Sequence, residues 1–183
     1  MAREGAIVVA TDLNGAAARS IADQIRAEGG QAEGMALDAG DDAAVMAAID
    51  GAIARHGKLD ILHSHAGIQI PGTLEQVTAE DMDASWRLNV RSHFVATRAV
   101  MRHMKAARRG SIIITASGSG IQYDPEMVTY ATTKHAVVAM AKQIAKDYGK
   151  FNVRVNTLCP GFIDTPFNAG FEQQMGGRKA LEA

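Results

Sequence analysis

Ser117-Gly118-Ser119-Gly120, followed further on by Tyr130-Ala131-Thr132-Thr133-Lys134, is the stretch on which the reading of this chain turns. On a helix, residues four apart stack on one face, so the Tyr130 phenol and the Lys134 ammonium can point into one space. A phenol with a reference pKa of about 10 is a poor base at neutral pH, and a cation close by favours its phenolate. Taken alone, the pair is equally a half-buried tyrosine beside a solvated lysine. The flanks weigh against that. Ser111 to Thr115 reads Ser-Ile-Ile-Ile-Thr, a β-branched run suited to a strand buried on both faces of a parallel sheet. It ends in the small-residue loop Ala116 to Gly120, and in open α/β sheets such loops at strand C-termini form the ligand crevice. Arg154 to Leu158 is a second short apolar strand, running into Cys159-Pro160-Gly161-Phe162-Ile163-Asp164-Thr165 at the same edge.

Outward from this stretch, the chain alternates strand and helix. Ala6 to Thr11 reads as a strand ending at Asp12, and Asn14 to Glu28 as an Ala-rich amphipathic helix closed by Gly29 and Gly30. Gln31 to Leu37 is a weaker strand ending at Asp38. Asp41 or Asp42 caps a helix to about His56, and Leu59 to Ser64 is a strand with His65, Ala66 and Gly67 as its loop. Ala79 to Ala107 reads as one long helix, broken near Asn89. This order predicts an α/β fold, a doubly wound parallel sheet with helices on both faces, in one domain spanning residues 1–183.

Several motifs at fixed spacing resemble the short-chain dehydrogenase/reductase family of the compact, single-domain kind, over nearly the whole length. Ser117 lies thirteen residues before Tyr130, Lys134 four after it, and Asn89 sits within Trp86-Arg87-Leu88-Asn89-Val90 on the preceding long helix. Asn156 followed by Pro160 and Gly161 matches the family's segment after its sixth strand. The resemblance implies a Rossmann-like fold and hydride transfer between a nicotinamide cofactor and a secondary alcohol or its ketone. Tyr130 would be the general acid and base, Ser117 the donor to the substrate oxygen, Lys134 the group that lowers the Tyr130 pKa and binds the nicotinamide ribose, and Asn89 the holder of a water. It further implies that Asp38 lies against the adenine, that Ala66 and Gly67 let backbone approach the cofactor, and that Ile163 and Thr165 contact the nicotinamide amide. Asp12, at the end of the family's second strand, would accept hydrogen bonds from the adenosine ribose and repel a 2′-phosphate, which predicts NAD over NADP. Asp12 also reads as the N-cap of the helix that starts near Gly15.

The chain has 183 residues, a net charge of −1 and 47% apolar residues, so it can bury a sizeable core and carries no overall charge that would seek a polyanion. The basic residues from Arg91 to Arg109 read as the solvated face of a helix rather than a nucleic-acid surface. Its single cysteine, Cys159, excludes an internal disulfide and reads as a small filler in a reducing compartment. No run approaches membrane-spanning length, so a cytoplasmic protein is expected. Gln122, Tyr123, Met127 and Phe167 read as walls of a pocket for a small-molecule alcohol or ketone. By resemblance, the helices over 79–107 and 130–148 would pair with those of a second subunit in a homodimer or homotetramer, with Val95, Ala99, Val137, Ala141 and Ala145 allowing close packing.

Three departures from the family pattern carry consequences. Ser64 and His65 stand where the family has two asparagines, so the amide cross-link to neighbouring strands must be replaced or lost, with His65 as the hydrogen-bonded stand-in. His63 and His65 share one face of a strand, but no third ligand at suitable spacing supports a metal. Finally, the family's first strand and its Gly-x-x-x-Gly-x-Gly turn, on the order of 30 residues, have no counterpart here. Nor does its last strand. The strands on either side of the first would then either pair directly or leave two inner edges open, and Phe162, Phe167 and Phe171 would lack their cover. The expectation is therefore a truncated form of an NAD-dependent dehydrogenase, with a catalytically silent fragment or an interaction partner of full-length subunits as the alternative.

Overall fold

The structure, a computed structural model, describes residues 1–174 together with Gly176 and Gly177. Among these residues there are five strands and six α-helices, in the expected order as far as β5, and local chemistry sets their ends. Strand β1 (Ile7–Asp12) leads to helix α1 (Gly15–Ala27), whose N-cap is Asn14, its side chain accepting from the amides of Ala16 and Ala17. Strand β2 (Gln31–Ala36) leads to α2 (Asp42–His56), capped by the Asp41 carboxylate and closed by Gly57 in the left-handed region at φ 73°. Strand β3 (Ile61–Ser64) precedes α3 (Ala79–Trp86), which starts on a reciprocal capping box between Thr78 and Asp81. A π-helical turn (Arg87–Arg91) joins α3 to α4 (Ser92–Ala107) and holds Asn89, where the long helix was expected to break. Strand β4 (Gly110–Thr115), α5 (Val128–Tyr148), β5 (Val153–Leu158) and the short α6 (Ala169–Gln174) complete the chain.

All pairing is parallel, but the strands form two sheets. β1 pairs with β2, and separately β4 lies between β3 and β5, in the order β3-β4-β5. Of the two outcomes expected for the strands flanking the absent one, the open-edged one holds: among the described residues β1 and β3 make no ladder with each other. Burial follows. Ile112 and Ile114 of β4 are fully buried, whereas Ile7 of β1 is 50% exposed and Ile61 of β3 is 41% exposed. The main core is built on the three-stranded side, where Val100, Met104, Val137 and Val153 from α4, α5 and β5 close over β4. α1 packs on β1 and β2 with Ala18 and Ala22 as its only buried apolar residues. It comes so close to β2 that a Cβ on Gly34 would lie 2.3 Å from the Ala18 carbonyl oxygen.

The small residues of the long helices pack differently from expectation. Val95, Val137 and Ala141 face the chain's own core, and Ala99 and Ala145 pack partly against it, because the small residues of α4 and α5 are what lets the two helices sit on the sheet. Val95, Val137 and Ala141 are thus taken up by this core, and on these two helices Ala99 and Ala145 stay partly exposed. The basic residues from Arg91 to Arg109 form the exposed face expected of them, and several make contacts at that surface: Arg91 pairs with Asp42, Arg109 with Asp60 at 3.4 Å, Arg108 donates to the Lys150 carbonyl, and Lys105 lies 4.7 Å over the Phe151 ring. No helix among the described residues is long and apolar enough to cross a membrane.

This division of burial makes the β1-α1-β2 unit the weaker part. Local opening free energies track buried apolar contact. In native-state hydrogen exchange, the amides of Ile112, Ile114 and Val155 are expected to exchange at least about tenfold more slowly than those of Val8, Val9 and Ala32. Uniform protection across both sheets would contradict the division.

Candidate active site

Because every strand is parallel, the C-terminal ends of β3, β4 and β5 deliver their loops to one edge, and α5 begins beside them. The Ala116–Gly120 loop presses on α5: a Cβ on Gly120 would sit 2.7 Å from the Lys134 carbonyl oxygen. The loop after β5 is tied to it by Gly118 N–H donating to the Pro160 carbonyl at 2.7 Å. Ser117, Tyr130 and Lys134 therefore meet, with Tyr130 5% and Lys134 2% exposed.

Lys134 Nζ donates to the Thr115 carbonyl at 3.1 Å and lies 5.5 Å from the centre of the Tyr130 ring. Burial pulls its pKa down to about 8, a fall that the nearby Cys159 partly opposes. The expectation that this ammonium acidifies the phenol fails on balance. The Tyr130 pKa is raised above its ordinary value, because burial disfavours the phenolate; the neighbouring Ser117 hydroxyl acts to lower it, and the charge of Asp124 raises it. The cation stands over the ring, 5.5 Å from its centre, and loss of water at the phenol decides the direction.

Asn89 is fully buried and already engaged. Its Oδ1 accepts from Ile68 N–H at 2.8 Å, and its Nδ2 donates to the Ile68 carbonyl at 2.9 Å and to Thr133 Oγ1 at 3.1 Å. It clamps the loop after β3 to α5 from a π-turn, a geometry that recurs at functional sites. Gly67 lies against it: a Cβ there would be 3.1 Å from Asn89 Oδ1 and 3.4 Å from Lys134 Nζ.

The cross-link expected of the missing asparagines is made by other groups. His63 Nε2 and His65 Nδ1 both bond the Thr115 hydroxyl, at 3.0 and 2.9 Å, with their rings 5.2 Å apart. Ser64 Oγ bonds His93 Nδ1 at 2.7 Å. No group of three metal-ligating residues forms among the described residues. His93 is a residue that sequence reasoning missed, although it lies one helical turn after Asn89. It is fully buried with Nε2 unpartnered, and burial, with Lys134, His65 and His63 adding to it, holds its pKa down to about 3. Ser119 and Asp124 were missed as well: Ser117 donates to Ser119 Oγ, which donates to the Asp124 carboxylate.

The remaining positions lie on an exposed crest along the same edge. Asp12 does not cap α1; its Oδ1 accepts from Asn14 N–H at 2.7 Å, which leaves the cap to Asn14, the residue with the shorter reach to the first turn. Asp38 Oδ1 accepts from Gly40 N–H at 2.7 Å. Ala66, Gly161, Ile163 and Thr165 are exposed, and Pro160 is half-buried. Beside them a cleft of about 870 Å³ is lined by Gln122, Tyr123, Met127, Ala131 and His135. Phe167 lies over Tyr130, ring centres 6.5 Å apart, and like Phe162 remains nearly half exposed; the Phe171 side chain lies outside the described residues.

Comparison with known proteins places this arrangement. The short chain dehydrogenase family model matches residues 1–176. Cyclopentanol dehydrogenase of Comamonas testosteroni is 36% identical over 166 residues, covering 91% of this chain and 66% of that protein. The chain thus spans about two thirds of the length of the curated relatives it matches. A short-chain dehydrogenase/reductase from Burkholderia xenovorans superposes with a TM-score of 0.90 at 31% identity, covering 99% of this chain and 69% of that one. A gluconate 5-dehydrogenase from Burkholderia cenocepacia, solved with NADP and tartrate, gives a TM-score of 0.86 at 34% identity, covering 95% of this chain and 71% of that one. On sequence, fold and the meeting of Ser117, Tyr130 and Lys134, the chain belongs to the short-chain dehydrogenase family of oxidoreductases.

Proposed function

We propose that this chain carries the proton-transfer side of a cytoplasmic, nicotinamide-dependent oxidoreductase interconverting a secondary alcohol and its ketone. One observation carries the reading: a buried phenol, Tyr130, meets the Ser117 hydroxyl with a buried ammonium, Lys134, against its ring. In the oxidative direction Tyr130 Oη takes the alcohol proton, and in reduction it returns it. Ser117 bonds the same substrate oxygen and stabilises charge that develops there. Asn89 Oδ1, with one lone pair on Ile68 N–H, has a second to hold a water beside Gly67.

The residues present fit a nicotinamide dinucleotide on the exposed crest. Lys134 has three N–H donors and one protein acceptor among the described residues, so two are available to ribose hydroxyls. Gly67 keeps the space above Asn89 and Lys134 free of a side chain. The bound nicotinamide would supply or accept the hydride. The Asp12 carboxylate, exposed at the end of β1, supports NAD over NADP by repelling a 2′-phosphate; the Burkholderia cenocepacia neighbour binds NADP. The mixed apolar and amide lining of the cleft suits a small to medium alcohol.

A second reading has its own support. On it the chain binds phosphate weakly and joins full-length subunits: no Gly-x-x-x-Gly-x-Gly pattern occurs in the 183 residues, and among the described residues β1 and β3 make no ladder with each other. Titration with NADH separates the two. Saturable binding, seen as a change in NADH fluorescence and tighter than that of NADPH, is expected for the enzyme. A folded chain with no binding at millimolar NADH supports the silent form.

Two further outcomes are expected. Because the Tyr130 pKa is raised, the fraction of phenolate grows with pH throughout the neutral and mildly alkaline range, so kcat for cyclopentanol oxidation should climb without a plateau below about pH 9. Tyr130→Phe should lower it by about 10²–10⁴-fold. The second concerns stability. Lys134 has a folded pKa of about 8 against 10.5 when solvated, so between these values the unfolded chain binds more protons and stability rises with pH. Urea unfolding from about pH 8 to 10 should show this rise in the wild type and a flatter profile in Lys134→Met; equal slopes would contradict the burial of the charge.

A further inference from the structure

Ser117 has one proton, and the structure shows where it goes. An ionised carboxylate only accepts, so the contact between Ser119 Oγ and Asp124 Oδ2 takes the single Ser119 proton. Ser119 Oγ can then only accept from Ser117, whose hydroxyl lies at 3.1 Å. The Ser119 N–H, donating to Ser117 Oγ at 3.2 Å, fixes the pair further. Ser119 is 4% exposed, and Asp124 is half-buried on the wall of the cleft. Direction therefore propagates from the carboxylate inward, and what Ser117 turns toward Tyr130 is a lone pair.

We propose that Ser119 and Asp124 are positioning residues, a two-link relay that holds the Ser117 proton away from Tyr130 and from the substrate oxygen. For Ser117 to donate to a substrate oxygen, its hydroxyl must first be drawn off Ser119, so the relay opposes the hydrogen bond that Ser117 gives during turnover. It also competes with the hydrogen bond by which Ser117 stabilises the Tyr130 phenolate, so cutting the relay makes the phenol more acidic.

The role in turnover rests on the dehydrogenase reading, but the relay itself is tested without cofactor or substrate. The chain has three tyrosines. With tyrosine labelled by carbon-13 at Cζ, the resonance of Tyr130, assigned by its loss in Tyr130→Phe, reports its ionisation against pH. In Ser119→Ala the midpoint is expected to fall below that of the wild type, and in Ser119→Thr, which restores a hydroxyl, to return toward it. An unchanged or higher midpoint in a folded Ser119→Ala overturns the relay. Should that variant fail to fold, Asp124→Ala and Asp124→Asn decide: both remove the charge, and only asparagine keeps an acceptor for Ser119. The relay requires a lower midpoint in the alanine variant, and equal midpoints overturn it. A missing turnover with these shifts intact would count against the dehydrogenase reading alone.

Discussion

Thr115 is the residue on which the site is hung. Its carbonyl accepts the Lys134 ammonium, its hydroxyl joins both His63 and His65, and two positions later the chain presents Ser117. It can serve all three because β4 is the only strand of its sheet paired on both sides, so its C-terminal end is held in place from the β3 and β5 directions at once. Hydrogen bonds of this kind contribute about 0.5–1.5 kcal/mol each, and more to a charged group. Their value here is in placement. They fasten helix α5, the β3 loop and the β4 loop to one backbone position, so the phenol, the hydroxyl and the ammonium cannot drift apart independently.

Burial sets the electrostatic terms. The charged forms of Tyr130 and Lys134 are both disfavoured by desolvation, and the lysine shift from 10.5 to about 8 corresponds to roughly 3 kcal/mol against the buried ammonium. Each group alone is pushed toward neutrality. The neutral His93, buried beneath the β3 loop, keeps a further positive charge out of this space.

The sequence was most legible where local chemistry decides. The capping residues, the β-branched β4 and the break near Asn89 all follow from side chains acting on their own neighbourhood, and the structure places them within a residue or two of expectation. The tyrosine, lysine and serine could be found because helical spacing and a strand-end loop bring them together from nearby positions. Other features depend on distance in the chain. Val137 and Ala141 read as small residues fit for a partner, yet only the packing of α5 onto β5 shows that they face inward. The Tyr130 pKa was misjudged because spacing reveals a cation one turn away and says nothing of how much water is lost. Ser119 lies inside the loop that begins at Ser117, but no spacing rule singles it out, and Asp124 belongs to no motif. Their part follows only from the hydrogen bonds between them, and that of His93 from a partner twenty-nine positions earlier.

The π-turn over Arg87–Arg91 carries a consequence of its own. It widens one turn of the helix, and Asn89 aims its amide at both the Ile68 backbone and Thr133 from within it, while the Ser92 hydroxyl bonds the Leu88 carbonyl just beyond. An α-helix advances about 100° per residue, so removing one residue here to restore ordinary winding would rotate everything on one side of the turn relative to the other by about that angle. The clamp would swing away from α5 with its chemistry unchanged. In this segment a deletion is more damaging than most substitutions, since phase, and not residue type alone, is what aims the amide.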